Sequence, residues 1–311
     1  MDERGAIERL RTIATSSAAR GLADDVALID GLVLTHDSIA EGVHYRPGDP
    51  AESVGWKLVA VNVSDLAAKG AAPLAALLSL TLSGDDDWET RFLDGVAEAC
   101  AAFGLALVGG DTIALPRGTP RVLGLTAIGR AGAATPSRTG GQTGNRLWLV
   151  GTLGDSAAGL AQLVDHPGAA GPLVDVYRRP QPSLEAGAAL ARHATAMMDV
   201  SDGLLLDLSR MIAASGCGAS VDLDALPLSL AFVKARGDDR SARLFAATGG
   251  DDYALLAALP AEMDPRLSLC LPCAPSIACI GSLVAGSSLS LADAEGPVRL
   301  PEHLGHEHRA A

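Results

Sequence analysis

The spacing of apolar and polar positions predicts alternating helices and strands along the whole chain. Residues 1–14 predict a charged helix, and residues 24–38 predict a hairpin of two strands joined by Asp30-Gly31. Residues 51–70 predict a helix that is apolar on nearly every side. Residues 87–104 carry apolar side chains three to four positions apart, which indicates an amphipathic helix ending at Gly104.

The remaining apolar runs predict the strands of a mixed fold. Residues 74–82 and 121–131 predict strands, and residues 105–111 predict a strand that breaks at its glycines. In the second half, strand, turn and helix follow one another over residues 146–164 and again over residues 195–216. Residues 219–228 and 252–260 predict further strands. Both halves therefore mix strands with helices, which predicts an α/β (α+β) fold.

A loop-like segment separates the two halves. Residues 132–145, "GAATPSRTGGQTGN", are rich in Gly, Thr, Ser and Pro. A chain of 311 residues is also longer than one core usually serves. We therefore expect two domains, at residues 1–135 and 136–311.

Composition and charge narrow the function classes. The formal net charge is −13, which argues against a nucleic-acid or anionic membrane partner. We find no apolar run long enough for a transmembrane helix, and the charged N-terminus lacks the apolar stretch of a secretory signal. We therefore expect a cytoplasmic protein.

Cysteine and histidine give weak metal signals. The five cysteines are odd in number, which disfavours a disulfide framework. Cys270 and Cys273 form a CxxC pair with no second pair at zinc-finger spacing, so we interpret them as core residues. The C-terminal histidines, including His306 and His308, are interpreted as a polar tail.

Aspartates recur at the predicted ends of strands and helices. The clearest case is "MMDVSDGLLLDL", which places Asp199, Ser201 and Asp202 between apolar residues. Asp65 lies within an otherwise apolar helix, where a carboxylate needs a partner or a metal. The full set is Asp24, Asp25, Asp37, Asp65, Asp111, Asp199, Asp202, Asp251 and Asp252.

Two interpretations of these aspartates remain open. Each aspartate taken alone could cap a helix or a turn. Capping explains Asp65 and Asp111 poorly, however, and oxygen-only ligand sets are typical of Mg²⁺ bound beside substrate phosphates. We find neither a P-loop nor a dinucleotide-binding glycine motif, so phosphate binding must be unconventional. The glycine-rich turn at residues 150–159 is a weak candidate for holding an anion at a helix N-terminus.

Several motifs, in order, resemble one known family. They include "ADDVAL", "THDSIAEGVHY", "GWKLVAVNVSDLAAKGAAP", "LVGGDT", "GTLGDSAAGL", "MDVSDGLLLDL" and "ATGGDDYALL", within residues 23–256. The chain resembles the thiamine-monophosphate kinases of the aminoimidazole-ribonucleotide-synthetase-like superfamily. The resemblance implies transfer of the ATP γ-phosphoryl group to thiamine monophosphate, with several Mg²⁺ ions. It also implies a homodimer in which the N-terminal sheets form a barrel-like core.

The resemblance also implies roles for individual residues. The implied metal-site residues are Asp25, Asp37, Asp65, Asp111, Asp199 and Asp202, with His36 beside them. The implied ATP contacts are Gly110, Asp111, Arg138 and Ser201, and the implied substrate contacts are His44, Asp251 and His306. No residue is implied as a general base. This sequence departs from the family pattern at His36, Lys69, Asp251 and His306, where the family usually has Thr, Met, Glu and an aromatic residue.

Three alternative functions remain at this stage. A related synthetase would form another phosphorylated product, but selenophosphate synthetases resemble one another in an early reactive Cys or selenocysteine, and this chain has no cysteine before Cys100. A metal-dependent phosphohydrolase would use water as the acceptor. A non-catalytic homologue would bind nucleotide without turnover.

Overall fold

Two separate mixed β-sheets form the framework of the protein. A computed structural model describes residues 3–268 and 276–307. One sheet has five strands and the other has seven, and helices pack against both. The predicted two-domain α/β class is therefore confirmed. Cys270, Cys273 and His308 lie outside the described residues.

The N-terminal sheet contains the predicted hairpin and three further strands. Its order is β1-β2-β5-β3-β4, with β3 and β4 parallel and the other pairs antiparallel. The strands are β1 (Ala27–Ile29), β2 (Leu32–Ala40), β3 (Ala72–Leu82), β4 (Ala106–Ala114) and β5 (Val122–Arg130). The helices of this half are α1 (Glu3–Arg11), α2 (Ala51–Ala68) and α3 (Asp86–Phe103).

Strand β4 corrects the prediction of a strand that breaks at its glycines. It continues through Gly109 and Gly110 and ends at Ala114. Gly110 has φ +152°, and a Cβ atom there would lie 1.9 Å from the carbonyl oxygen of Leu78 on β3. The glycine therefore lets the two parallel strands approach closely, and it continues the strand because it lacks a side chain.

The C-terminal sheet supplies the second half of the framework. Its order is β12-β11-β8-β10-β6-β9-β7, and β8 and β11 are its parallel pair. The strands are β6 (Arg146–Val150), β7 (Ala196–Val200), β8 (Gly218–Asp222), β9 (Ala254–Leu259), β10 (Ile277–Val284), β11 (Leu289–Asp293) and β12 (Gly296–Val298). The helices are α4 (Asp155–Asp165), α5 (Pro172–Arg178), α6 (Leu184–Ala191), α7 (Leu204–Ser215), α8 (Leu230–Arg236), α9 (Arg240–Thr248) and α10 (Pro265–Ser268).

Helix α2 joins the two halves. All but one of its 18 residues are buried, as expected for a helix that is apolar on nearly every side. Its last turn packs against α6, where a Cβ atom at Gly187 would lie 2.1 Å from the carbonyl oxygen of Ala67. Side chains of α2 consequently reach both β2 of the first sheet and β7, an edge strand of the second.

Among the described residues, we find no helix that combines the length and the apolar character needed to cross a bilayer.

Candidate active site

Three predicted metal-site aspartates meet where the two halves of the molecule touch. Asp25 lies just before β1, Asp65 lies on α2, and Asp199 lies near the end of β7. One carboxylate oxygen from each residue lies within 4.8 Å of the other two. We call Asp25, Asp65 and Asp199 the acidic cluster. The long sequence separation of its members means that only the folded chain brings them together.

Neighbouring side chains orient the carboxylates of the acidic cluster. The Thr35 hydroxyl donates a hydrogen bond to Asp65, and the Ser64 hydroxyl donates to Asp199 at 2.6 Å. Arg138 forms an ion pair with Asp25. Even so, Asp25 Oδ2 is buried without a hydrogen-bond partner. A donor set of carboxylate oxygens with one unsatisfied oxygen fits a hard divalent cation such as Mg²⁺.

Burial and mutual repulsion oppose ionisation of most carboxyls at this junction. Burial, followed by the charge of Asp25, raises the pKa of Asp199 to about 7. Burial, followed by Asp37 and Asp199, raises the pKa of Asp65 well above its usual value. Burial also raises the pKa of Asp37 to about 6, with Asp25 and Asp202 adding to the effect. A bound cation would displace protons from these groups.

Asp25 is the exception within the cluster. Burial alone would raise its pKa, but Arg138, then Lys69 and Arg210, outweigh burial and lower the pKa below its usual value. Asp25 is therefore the member that stays ionised most readily. The cluster combines one carboxylate whose pKa is lowered by cations with two carboxyls whose pKa values are raised by burial and by their neighbours.

Asp37 and Asp202 lie beside the acidic cluster and are not part of the three-residue set. Both add negative charge to this region. The charge of Asp202 helps to raise the pKa of Asp37, and the charge of Asp37 helps to raise the pKa of Asp65. The Asp37 amide donates to Asn62 Oδ1 at 3.0 Å, which ties β2 to α2. Asp202 forms an ion pair with Arg210.

His36 and Asp111 are not brought to the acidic cluster. His36 is exposed, lies next to buried Thr35 on β2, and has Nδ1 2.9 Å from the Thr126 hydroxyl. Adjacent strand residues point to opposite faces, so His36 points away from the Thr35 side. Asp111 is exposed on the edge strand β4, beside Ser79 of β3. Their assignments as metal-site residues stay predictions.

The "DVSDG" turn is held by an aspartate that sequence reasoning overlooked. Asp207, in the first turn of α7, is fully buried and accepts the backbone amides of Ser201 and Asp202, each at 3.0 Å. Burial raises its pKa to about 7. Helix α7 begins after Gly203 with no side-chain cap. Capping therefore does not explain the polar residues of this turn, whereas Asp207 fixes its backbone.

The glycine-rich turn before α4 is held by Asp252. Asp252 accepts the amides of Gly154 at 2.7 Å and Ser156 at 3.4 Å. Burial raises the pKa of Asp252 well above its usual value. These amides were candidate anion donors in the sequence, but a carboxyl of the same chain already uses them. The capping interpretation is the right one for Asp252.

Two predicted substrate contacts lie together around a buried lysine. Lys57 Nζ lies 2.7 Å from Asp251 Oδ2 and 3.0 Å from the carbonyl oxygen of His44. The Tyr253 hydroxyl donates to Asp251 Oδ1 at 2.8 Å. The Tyr177 ring lies 4.3 Å from Lys57 Nζ. We call Lys57, Asp251, Tyr253 and Tyr177 the lysine–tyrosine group.

The ring of His44 has a defined hydrogen bond. Its Nδ1 accepts the Ala40 amide at 3.0 Å, so the neutral ring carries its proton on Nε2. His306 also returns to the site region, because its amide donates to the carbonyl oxygen of Asp202 at 2.8 Å. The structure thus places His44 and Asp251 near one lysine and His306 beside the "DVSDG" turn. Their substrate roles stay predictions.

Sequence families match both halves of the chain. The family described as AIR synthase related protein, N-terminal domain, matches residues 23–131. The family described as AIR synthase related protein, C-terminal domain, matches residues 142–291. Thiamine-monophosphate kinase of Salmonella typhimurium is 40% identical over 252 residues, covering 77% of this chain and 76% of that protein.

This chain belongs to the thiamine-monophosphate kinase family.

Further relatives extend the similarity over nearly the whole chain. Thiamine-monophosphate kinase of Caulobacter vibrioides is 36% identical over 303 residues, covering 93% of this chain and 85% of that protein. A solved structure of AaThiL complexed with AMPPCP and TMP has a TM-score of 0.86 and 29% identity, covering 99% of this chain and 97% of that one. The predicted family is confirmed, and the fold of this kinase family spans both sheets.

Proposed function

We propose that this kinase transfers the γ-phosphoryl group of ATP to the phosphate of thiamine monophosphate, giving thiamine diphosphate and ADP. The family relationship supports the reaction, and the solved AaThiL complex holds an ATP analogue together with TMP. The observation in this chain that carries the proposal is the acidic cluster, which joins carboxylates from both halves at one point. Both substrates are strongly anionic, so their approach requires cations between them.

The metal site is proposed on Asp25, Asp65 and Asp199, with Asp37 and Asp202 beside them. Mg²⁺ held there supplies charge neutralisation and alignment of the phosphates, and we propose more than one ion. Asp111 and His36 remain proposed members from the family resemblance. The readiness of Asp25 to ionise supports its role as the first ligand, because a cation binds an already ionised carboxylate without displacing a proton.

The proposed reaction needs no general base from the protein. An oxygen of the acceptor phosphate attacks the γ-phosphorus, the bond from that phosphorus to the β,γ-bridging oxygen breaks, and ADP leaves with the electron pair. A phosphate monoester has a second pKa of about 6 and is largely ionised at neutral pH. What the protein supplies is therefore position and charge.

The remaining site residues are proposed as contacts. We assign ATP contacts to Gly110, Asp111, Arg138 and Ser201. Arg138 supports this best, because its guanidinium already lies at Asp25 and can bind a phosphate oxygen. We assign substrate contacts to His44, Asp251 and His306. We also propose that the two domains comprise residues 1–135 and 136–311. The cytoplasmic location stays a prediction.

An assay of acceptor dependence tests the proposed reaction. The full-length protein is incubated with ATP and Mg²⁺, with and without thiamine monophosphate, and ADP and thiamine diphosphate are quantified. We expect ADP to form in step with thiamine diphosphate and only when the acceptor is present. ADP formed equally without acceptor would instead establish a phosphohydrolase. ATP binding without any turnover would establish a non-catalytic homologue.

A homodimer is proposed through the edge strand β4. All of β4 is exposed, including Leu107 at 47%, Val108 at 62% and Ile113 at 53%. An exposed apolar edge is normally paired or covered in a natural sheet. We expect a dimer by light scattering and a monomer for Val108→Lys. The control is Val164→Lys, since Val164 is 65% exposed on α4, away from this edge. A monomeric wild-type protein would contradict the proposal.

A further inference from the structure

Lys69 is a buried cation at the margin of the acidic cluster. It directly follows α2, and its side chain is fully buried. Its Nζ atom lies 2.6 Å from Asp24 Oδ1, 3.7 Å from Asp25 Oδ2 and 3.0 Å from the carbonyl oxygen of Met197 on β7. A buried ammonium group requires partners of this kind. Lys69 therefore touches both halves of the molecule and two adjacent aspartates.

Asp24 and Asp25 have different surroundings although they are neighbours in sequence. The Asp24 side chain is fully buried, and its carboxylate pairs with Lys69 and with Arg20, whose Nε lies 3.1 Å from Asp24 Oδ2. Asp25 instead pairs with Arg138 and supplies an oxygen to the acidic cluster. Asp25 Oδ2, the oxygen nearer to Lys69, has no hydrogen-bond partner.

We propose that Lys69 is a positioning residue that binds Asp24 as its counter-ion, keeps Asp24 out of the metal-ligand set and so sets the divalent-cation affinity of the acidic cluster. The proposal rests on the metal site of the proposed function. It follows from the distances, since Lys69 is more than 1 Å closer to Asp24 than to Asp25. Without Lys69, Asp24 would keep only Arg20 as its cation, and the region of the acidic cluster would be more negative by one charge.

Two single substitutions should change Mg²⁺ affinity in opposite directions. Lys69→Met removes a positive charge and leaves Asp24 with Arg20 alone, so Mg²⁺ should bind about tenfold or more tightly. Asp24→Asn leaves Lys69 to neutralise Asp25, so Mg²⁺ should bind about tenfold more weakly. The double variant removes both charges, and its affinity should return toward that of the wild type. If Lys69 and Asp24 had a merely structural role, the two substitutions would not shift the Mg²⁺ affinity in opposite directions.

Calorimetric titration of the metal-free, full-length protein with MgCl₂ alone measures these affinities without nucleotide or turnover. Lys57→Met is the matched control, because Lys57 is also a buried lysine, lies on α2 and pairs with an aspartate outside the cluster, Asp251. That control should keep the wild-type Mg²⁺ isotherm. Thermal unfolding with and without Mg²⁺ is a second readout, and the stabilisation by Mg²⁺ should be larger for Lys69→Met than for the wild type.

The outcomes separate this proposal from the proposed reaction. If Lys69→Met and Asp24→Asn shift the affinity in the same direction, or leave it unchanged, the Lys69 proposal is wrong even when the wild type forms thiamine diphosphate. If the wild type binds no Mg²⁺, the metal-site assignment and the Lys69 proposal are both wrong. Should Lys69→Met not fold, Asp24→Asn alone decides, since an affinity equal to or tighter than that of the wild type contradicts the proposal.

Discussion

The acidic cluster and the lysine–tyrosine group both contain aspartates away from bulk solvent, but they balance the negative charge differently. Both lie at the junction of the two halves, and each is reached by a buried lysine on or next to α2. In the lysine–tyrosine group one ammonium faces one carboxylate, and Tyr253 donates to the same carboxylate. In the acidic cluster the carboxyls outnumber the cations, and burial raises the pKa of two of its three members.

The buried charges are therefore balanced in the lysine–tyrosine group and unbalanced in the acidic cluster. A balanced buried pair stabilises its own geometry and needs no ligand. An unbalanced cluster is completed only when protons or metal ions bind to it. We infer that the lysine–tyrosine group is preformed, whereas the acidic cluster changes its charge state when cations bind.

The largest expected effect comes from removing a carboxylate of the acidic cluster. Asp65→Asn should lower the rate of thiamine diphosphate formation by about a hundredfold or more, because a metal's charge stabilisation is worth several kcal/mol. The measurement is initial rate at saturating ATP and Mg²⁺. The control is Asp87→Asn on α3, where the side chain is 85% exposed. Near-wild-type turnover of Asp65→Asn would remove Asp65 from the ligand set.

The second effect is a pH dependence of stability to which Asp199 of the acidic cluster should contribute. The pKa of Asp199 is about 7 in the folded protein, against an ordinary value of 3.8, so the folded state binds the extra proton between these values. The free energy of unfolding should therefore contain a term that falls as pH rises from about 4 to about 7. The loss reaches a few kcal/mol, at about 1.4 kcal/mol per pKa unit.

Denaturant unfolding of metal-free protein between pH 5 and pH 8 measures this term. Asp199→Asn lacks the titrating carboxyl, so its free energy of unfolding should fall less than that of the wild type over the same range. Saturating Mg²⁺ should also reduce the loss, because the cation stabilises the ionised carboxylates. Equal pH slopes for wild type and variant would show that Asp199 is not the group responsible.

The third effect tests whether the lysine–tyrosine group is balanced without metal. Lys57→Met leaves Asp251 without its cation and should destabilise the protein by about 2 kcal/mol. This is less than the usual cost of breaking a fully buried ion pair, because the Asp251 side chain is 26% exposed. Denaturant unfolding should give the same destabilisation with and without Mg²⁺. A destabilisation that Mg²⁺ largely reversed would show that the two regions are one charge network.

The smallest effect concerns the turn before α4, whose amides bind Asp252. Asp252→Ala removes the acceptor for two amides at the start of α4 and should cost about 1 kcal/mol of folding stability. The matched control is Asp239→Ala, since Asp239 caps α9 through the Ala242 amide at 2.9 Å. Similar losses in the two variants would support a capping role for Asp252. A loss of turnover far larger than the change in stability would assign it a further role.

Most elements of the fold were predictable because their signals are local. Apolar periodicity identified α2 and α3, and Asp30-Gly31 marked the β1–β2 hairpin. The glycines of β4 were misinterpreted as a break because the sequence does not show that Leu78 of a neighbouring strand approaches them. A close approach between strands is a tertiary contact, and a glycine in isolation indicates a turn as readily as a tight pairing.

The candidate site was predictable in part for a similar reason. Carboxylates in apolar surroundings stand out in the sequence, which is how Asp65 and Asp199 were found. Asp207 was not identified in this way, yet it is fully buried and holds the "DVSDG" backbone. Lys57 was also overlooked. Its signal was available, however, since a lysine within an otherwise buried helix requires a buried partner.

The sequence by itself determined most of the helices and strands, the excess of carboxylates and, through ordered motifs, the family. It did so because periodicity, net charge and motif order depend only on local chemistry. Only the tertiary structure decided which aspartates meet, which are neutralised and which serve as caps. Asp24 and Asp25 are adjacent in the chain, yet one is paired with Lys69 and Arg20 and the other joins the acidic cluster. Distances between charged groups in the folded interior set that outcome, and sequence order does not contain them.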